Sequence, residues 1–252
     1  MLTANRQALA DRAVRCYLSQ TYEPRQLLIW DTGSTPYQLP DIPPDNGRRI
    51  TLVHCEHTPP LKIGQLRNQA LGFGRGGEII CHWDDDDWSA PERIADQVRL
   101  LTESGCDAVG YREMVFWRSP REVRAASDMS AAALESGASS ELLPGEAWLY
   151  RNTDPKYIIS TSLCYWRKTW ERVPFADTQV REWKPWFDGG VQTFGALDQT
   201  LGGGPKMIAE IHGGNTCAHT ALDPRGVNRD GSLAWTRVPE WDERVRQILE
   251  AA

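Results

Sequence analysis

Asp84, Asp85, Asp86 and Asp87 follow one another without a break, between Trp83 and Trp88. Packed carboxylates repel, so such a run needs a compensating cation or a chemical use. Oxygen ligands suit Mg²⁺ or Mn²⁺, which a few carboxylates can hold against the phosphates of a substrate. The simplest alternative is a solvated acidic loop. Against it, the run follows Ile79-Ile80-Cys81, which reads as a short buried strand.

Other residues carry weaker signals. Asp31-Thr32-Gly33-Ser34 ends the apolar stretch Gln26 to Trp30. Arg67 can grip a phosphate with two parallel hydrogen bonds, or serve as an ordinary helix-surface arginine. Glu182 and Asp188 are carboxylates able to act as general base, although an arbitrary glutamate is more often a surface residue. His212 follows the apolar Met207 to Ile211 and precedes two glycines. There it can reach a metal or a diphosphate, or simply close a turn. His54-Cys55-Glu56-His57 matches no zinc spacing and reads as a loop.

These residues need elements to hold them. Leu9, Ala13, Cys16 and Tyr17 recur at helical spacing, so residues 6–20 are expected to form an amphipathic helix. Strands are expected at Gln26 to Trp30 and Ile50 to Val53, and a helix at Ile63 to Phe73 with Ile63, Leu66, Ala70 and Phe73 on one face. Ser89-Ala90-Pro91-Glu92 reads as a capping box opening a helix that carries Ile94, Val98 and Leu101. Alternating strands and helices over 1–110 predict an α/β fold with a mainly parallel sheet. Ligands of such sheets bind beyond the carboxyl ends of the strands, where Asp31 and the acidic run both fall. Residues 119–146, Ala/Ser-rich, read as a mobile insertion with one weak helix. Residues 147–220 return to strands and aromatics, 223–238 read as loop, and 239–251 as a terminal helix.

Composition narrows the function. The chain has 252 residues and a net charge of −6, which argues against a general binder of nucleic-acid polymers. No apolar run approaches a membrane span, and no signal peptide is visible, so a cytoplasmic protein is expected. The six cysteines form no C-x-x-C pair and are expected to be reduced. Eleven tryptophans are many, and exposed ones can line a sugar site. Gly72-Phe-Gly74-Arg-Gly76-Gly77 fits G-x-G-x-x-G but has a helix before it and a strand after it, the reverse of the dinucleotide fingerprint.

Taken in order, several segments resemble the family-2 glycosyltransferases of the GT-A type. They are Thr3-Ala-Asn5-Arg6, Leu27-Leu-Ile-Trp-Asp31-Thr-Gly33-Ser34, Gly64-Gln-Leu-Arg67-Asn68, Gly77 to Asp87, Pro91 and Ser162-Leu-Cys-Tyr-Trp-Arg167. The resemblance implies a Rossmann-like, mainly parallel sheet flanked by helices, spanning 1–222, with 1–110 as its nucleotide-sugar half, 147–222 as its acceptor and catalytic half, and 223–252 as a tail. The first strand would be truncated, because the Thr-x-Asn-Arg turn lies so near Met1. The resemblance further implies a nucleotide-diphosphate sugar donor, a saccharide or other hydroxyl acceptor, a divalent metal (Mn²⁺ or Mg²⁺) and an inverting transfer. It assigns Thr3, Asn5, Arg6 and Asp31 to the nucleotide base and Arg67 to its neighbourhood. The Asp-x-Asp motif maps to Asp84 and Asp86, with Asp85 and Asp87 as register alternatives and His212 as a further metal or diphosphate contact. The family's Glu-Asp pair falls at Glu182-Trp183, which makes Glu182 the expected base and Asp188 the runner-up. Two other readings remain at this point: a nucleotidyltransferase, and a binding or scaffold domain that has lost its base.

Overall fold

The computed structural model describes residues 1–41, 49–56, 60–74, 76–124, 140–198, 204–212 and 226–252. In chain order the strands and helices are β1 (Leu2–Thr3), α1 (Gln7–Leu18), β2 (Gln26–Asp31), β3 (Arg49–His54), α2 (Ile63–Phe73), β4 (Ile79–Cys81), β5 (Trp88–Ser89) and α3 (Arg93–Ser104). Then come β6 (Ala108–Tyr111), β7 (Glu113–Arg118), β8 (Arg121–Arg124), β9 (Ser140–Leu143) and β10 (Glu146–Arg151). β11 (Cys164–Trp166), α4 (Arg167–Arg172), α5 (Lys184–Asp188), β12 (Thr193–Ala196), β13 (Met207–Ile211), β14 (Trp235–Arg237) and α6 (Asp242–Ala251) complete the order.

β1, β2 and β3 pair in parallel, with Thr3 opposite Asp31 and Asp31 opposite His54. A parallel bridge from Leu2 to Asp84 joins β1 to the extension of β4. β4 runs antiparallel to β11, β11 antiparallel to β6, and β6 parallel to β12. Across this seven-strand layer only β11 is reversed, so the expected mainly parallel sheet is present. Its short first strand sits in the middle, and its rows bring Thr3, Asp31, His54 and Asp84 to one edge.

Under the β1–β3 strands, α1 buries Ala10, Ala13, Val14, Cys16 and Tyr17 against Leu27, Ile29 and Trp83. Residues 6–20 thus carry the expected helix over Gln7–Leu18. α2 departs from its expected face: Leu66 is buried, but Phe73 is 52% exposed and meets Trp30 edge-on. The capping box does not form. Ser89 belongs to β5, its hydroxyl accepts from Arg93, and α3 starts at Arg93 without a side-chain cap.

A second sheet, ordered β14-β10-β7-β13-β5 and largely antiparallel, is not among the expected elements. It includes Trp235–Arg237, expected to be loop, and packs Trp117, Leu149 and Ile208 against Trp241, just before the terminal helix, and Val245 within it. In the expected insertion, β8 and β9 form an antiparallel pair, while the weak helix falls outside the described residues. Cys16, Cys55, Cys81, Cys106 and Cys164 are free thiols, and Cys217 lies outside the described residues.

Candidate active site

Beyond β1 the chain turns at Asn5, whose φ of 56° is left-handed, a conformation asparagine tolerates better than most residues. The turn carries Asn5 against the loop after β2: its Oδ1 accepts from the Ser34 hydroxyl at 3.1 Å. Gly33 is required at this contact, because a Cβ there would lie 2.8 Å from the Asn5 backbone nitrogen. Asp31 is wholly buried, yet it accepts from the backbone N–H groups of Gly33 and Tyr37 and faces His54 Nδ1 at 2.8 Å. A buried carboxylate saturated in this way fixes the loop after β2, which is then a rigid wall rather than a free strand end.

The four aspartates point in different directions. Asp84 faces Arg67, whose Nη2 is 3.4 Å away. Asp85 accepts from the Thr3 hydroxyl at 2.7 Å and from Arg6 Nη1 at 3.0 Å. Asp86 Oδ2 lies 3.1 Å from the same Arg6 nitrogen and 3.3 Å from His212 Nε2. Asp87 turns inward, where it accepts from the Thr161 hydroxyl and, at 3.3 Å, from the backbone N–H of Glu210. Burial, and next the charge of Asp86, push the Asp85 carboxyl up to about 6. Burial, then the charges of Asp86 and Asp84, push Asp87 well above its ordinary range.

Glu182 arrives from a distant loop. The amino-terminal turn of α2 presses on that loop: a Cβ on Gly64 would lie 1.8 Å from the Ala176 carbonyl oxygen. Gly64 N–H donates to Thr178 O, and Asn68 bonds the backbone of Phe175 in both directions. The loop closes on itself through Ala176 N–H to Glu182 O, with Arg181 left-handed at φ 57°. Glu182 is thereby buried with its carboxylate 3.1 Å from Arg67 Nε. Arg67 joins it to Asp84.

Thr3, Arg6, Asp85, Asp86 and His212 thus form one set of direct contacts and Arg67, Asp84 and Glu182 a second, both at one sheet edge, with Asn5 and Asp31 on the adjoining wall. Asp188 stands apart from them. It ends α5, its side chain is 72% exposed, and it pairs with Lys184 one turn back. Trp186 is 1% exposed in the core, so its indole is no sugar platform.

Several supporting residues carried no sequence signal. Arg12 of α1 donates to the Asp86 carbonyl at 2.8 Å and pairs with Glu210 at 2.5 Å. Arg93 is fully buried, donates to His82 O, Thr161 O, Ser89 Oγ and Gln97 Oε1, and stacks on Trp83. It fastens the strand before the acidic run to the segment carrying Thr161.

Among the described residues no three His, Cys, Asp or Glu side chains converge as a metal cage. Asp86 and His212 nevertheless supply a carboxylate oxygen and an imidazole nitrogen 3.3 Å apart, both donors that Mn²⁺ accepts. A site of two protein donors fits an ion that takes its remaining ligands from water and substrate phosphates.

The glycosyl transferase family 2 model matches residues 1–158. The chain belongs to that family. An uncharacterized glycosyltransferase of Nostoc sp. (strain PCC 7120) is 27% identical over 187 residues, covering 71% of this chain and 52% of the relative. The putative colanic acid biosynthesis glycosyl transferase WcaA of Escherichia coli (strain K12) is 36% identical over 99 residues, 38% of this chain and 34% of WcaA. The chain therefore spans about half or less of the curated relatives it matches. Among solved structures, S. aureus TarS 1–349 in complex with UDP-GlcNAc superposes with a TM-score of 0.53 at 15% identity, over 89% of this chain and 61% of that one. The mannosyltransferase PcManGT of Pyrobaculum calidifontis, in complex with GDP-Man and Mn²⁺, superposes with a TM-score of 0.51 at 17% identity, over 99% of this chain and 66% of that one. At these identities the likeness is one of fold, and the fold is of the GT-A type. No helix among the described residues is long and apolar enough to cross a membrane.

Proposed function

We propose that this chain transfers a sugar, of the hexose class, from a nucleotide-diphosphate donor to an acceptor hydroxyl with inversion and with the help of a divalent metal. The observation that carries the reading is the convergence of Asp84, Asp86, Arg67 and Glu182, drawn from three separate segments, at the carboxyl edge of the parallel strands. TarS bound to UDP-GlcNAc and PcManGT bound to GDP-Man and Mn²⁺ share the fold, which supports a nucleotide-sugar donor. The similarity to WcaA supports a saccharide acceptor in polysaccharide biosynthesis.

The nucleotide base occupies the wall made by Asn5, Asp31 and Gly33. Asp84 and Arg67 face the ribose and diphosphate. Asp86 and His212 would be the metal's protein ligands, while Asp87 accepts from Thr161 instead. When bound, the ion neutralises the charge that builds on the departing diphosphate. Glu182 takes the proton of the acceptor hydroxyl as it attacks the sugar carbon from the face opposite the leaving group. Arg67 keeps the Glu182 carboxylate oriented beside the donor.

The test compares Glu182→Gln with Asp188→Asn, with donor affinity as control. Glutamine keeps the shape but cannot take a proton, so Glu182→Gln is expected to bind donor normally and transfer at least ~10²-fold more slowly. Asp188→Asn is expected to be unaffected. Loss of transfer in Asp188→Asn alone would move the base to α5, and a parent chain that binds donor but transfers nothing would favour a binding domain.

A further inference from the structure

Cys81 of β4 and Cys164 of β11 stand directly opposite each other on neighbouring antiparallel strands. Their Sγ atoms are 3.3 Å apart. Opposite positions on such strands bring Cβ atoms to about 4.5–5.5 Å, close to the span of a disulfide, whose sulfurs sit about 2.05 Å apart. The other described cysteines lie elsewhere: Cys16 in α1, Cys55 just after β3 and Cys106 just after α3.

The two facing thiols differ in their surroundings. Cys164 is fully buried, whereas Cys81 keeps partial exposure. Burial, and next the contact with Cys81, push the Cys164 thiol well up. The Cys81 thiol is lowered, chiefly by that same contact, with burial opposing and the charge of Arg93 assisting. Burial raises Cys16 and Cys55. A thiolate near a cation and partly open to solvent is the nucleophilic form of cysteine, and a protonated thiol touching it is placed to resolve what forms there.

We propose that Cys81 and Cys164 are a peroxide-sensitive dithiol that closes to a disulfide across β4 and β11. The Cys81 sulfur attacks one oxygen of a hydroperoxide. The O–O bond breaks, the second oxygen leaves and takes a proton from water, and Cys81 becomes a sulfenic acid. The Cys164 sulfur then attacks the Cys81 sulfur, the S–O bond breaks, and the hydroxyl departs as water with the Cys164 proton. The two thiols have lost two electrons, which the hydroperoxide has taken up. Asp84 lies three residues beyond Cys81, and Thr161, which donates to Asp87, lies three before Cys164. Between them His82 N–H donates to Leu163 O at 2.7 Å. The disulfide therefore locks together the two segments that meet at Asp87 and Thr161. It joins positions 83 residues apart, and restraining the unfolded chain over that length stabilises the fold.

The test exposes the whole wild-type chain, Cys81→Ser, Cys164→Ser and Cys164→Ala to hydrogen peroxide, with dimedone as a trap for sulfenic acid. Remaining thiols are blocked with iodoacetamide and tryptic peptides are read by mass spectrometry. In the wild type a linked Cys81–Cys164 peptide pair, two hydrogens lighter than its parts, should outweigh any other linked pair by about tenfold or more, because a thiolate with its partner in contact reacts ahead of scattered thiols. Dithiothreitol should abolish it. Without Cys164, Cys81 should stop at the dimedone adduct in whichever of the two variants circular dichroism shows to be folded. Without Cys81, Cys164 should stay reduced. The melting temperature of the wild type should rise on oxidation and fall back on reduction. Cys81 still fully alkylated by iodoacetamide in peroxide-treated wild type would overturn the proposal. So would a dimedone adduct on Cys81 of the wild type with no linked pair, or a linked pair no more abundant than those of the other cysteines.

Discussion

At one end of the acidic run the carboxylates meet cations: Arg67 on Asp84, and Arg6 on Asp85 and Asp86. At the other end Asp87 meets a hydroxyl and an amide, those of Thr161 and the Glu210 backbone. Identical residues in unbroken succession thus divide into three that meet guanidinium groups and one that meets neutral donors. The geometry responsible is the short passage from β4 to β5. β4 carries Asp84 out beside Leu2, and β5 must already be paired with β13 at Trp88 and Ser89. Asp87, one residue before β5, has to face inward. Charge that would repel in a free loop is spread over two environments.

The largest expected effect that sharpens this division is at Asp86. Asp86→Asn should lower glycosyl transfer by at least ~10²-fold, the scale of losing a group that stabilises developing charge. Its stability should stay within about 1 kcal/mol of wild type, since relieving like-charge crowding offsets the lost Arg6 contact. Comparable losses of stability and transfer would mean that Asp86 is structural, as Asp87 is.

Thr161→Val probes the inward end, where a smaller effect on a different quantity is expected. Removing the hydroxyl leaves a buried carboxyl short of one donor, which costs about 1–3 kcal/mol of stability. Donor affinity per folded molecule should change little. The pH dependence has a definite sign. The Asp87 carboxyl is raised in the fold, so it favours the folded state when protonated; that contribution is complete below 3.8 and is lost as pH rises through the folded-state value. The Thr161 hydroxyl opposes the rise by favouring the ionised form, so the Thr161→Val deficit should grow as pH increases. A deficit that is flat with pH, measured by urea unfolding at pH 5 and pH 8, would contradict the inward placement.

The strand ends of the arginine-facing half are legible because they are written locally, although its contacts are not: Thr3 lies 82 residues from Asp85, and Glu182 lies 115 from Arg67. An apolar strand followed at once by Asp31, or by Asp84, marks a strand end, and parallel pairing then puts the ends side by side. The contacts of Asp31 with Gly33 and Tyr37 are likewise short-range. The inward half is not written locally. Thr161 lies 74 residues from Asp87, and Glu210 lies 123 away. β10 finds β14 across nearly ninety intervening positions, with Trp148 opposite Arg237. Ser89 looked like a helix cap because S-x-x-E precedes an apolar run. Pairing with β13 instead draws it into β5, and its hydroxyl serves the buried Arg93. Tertiary pairing overrides a local signal there, and nothing within ten residues reveals it.

The central claim is that the arginine-facing end of the acidic run works as a metal and nucleotide-sugar site. Its most direct test is a calorimetric titration of UDP-GlcNAc and of GDP-mannose into the wild-type chain and into Asp86→Asn, each with Mn²⁺ and with EDTA. We expect at least one donor to bind the wild-type chain in Mn²⁺, and its affinity to fall about tenfold or more in EDTA and again in Asp86→Asn, a loss of about 1.4 kcal/mol or more. Donor binding of equal strength in all of these conditions, or no binding of either donor in any of them, would contradict it.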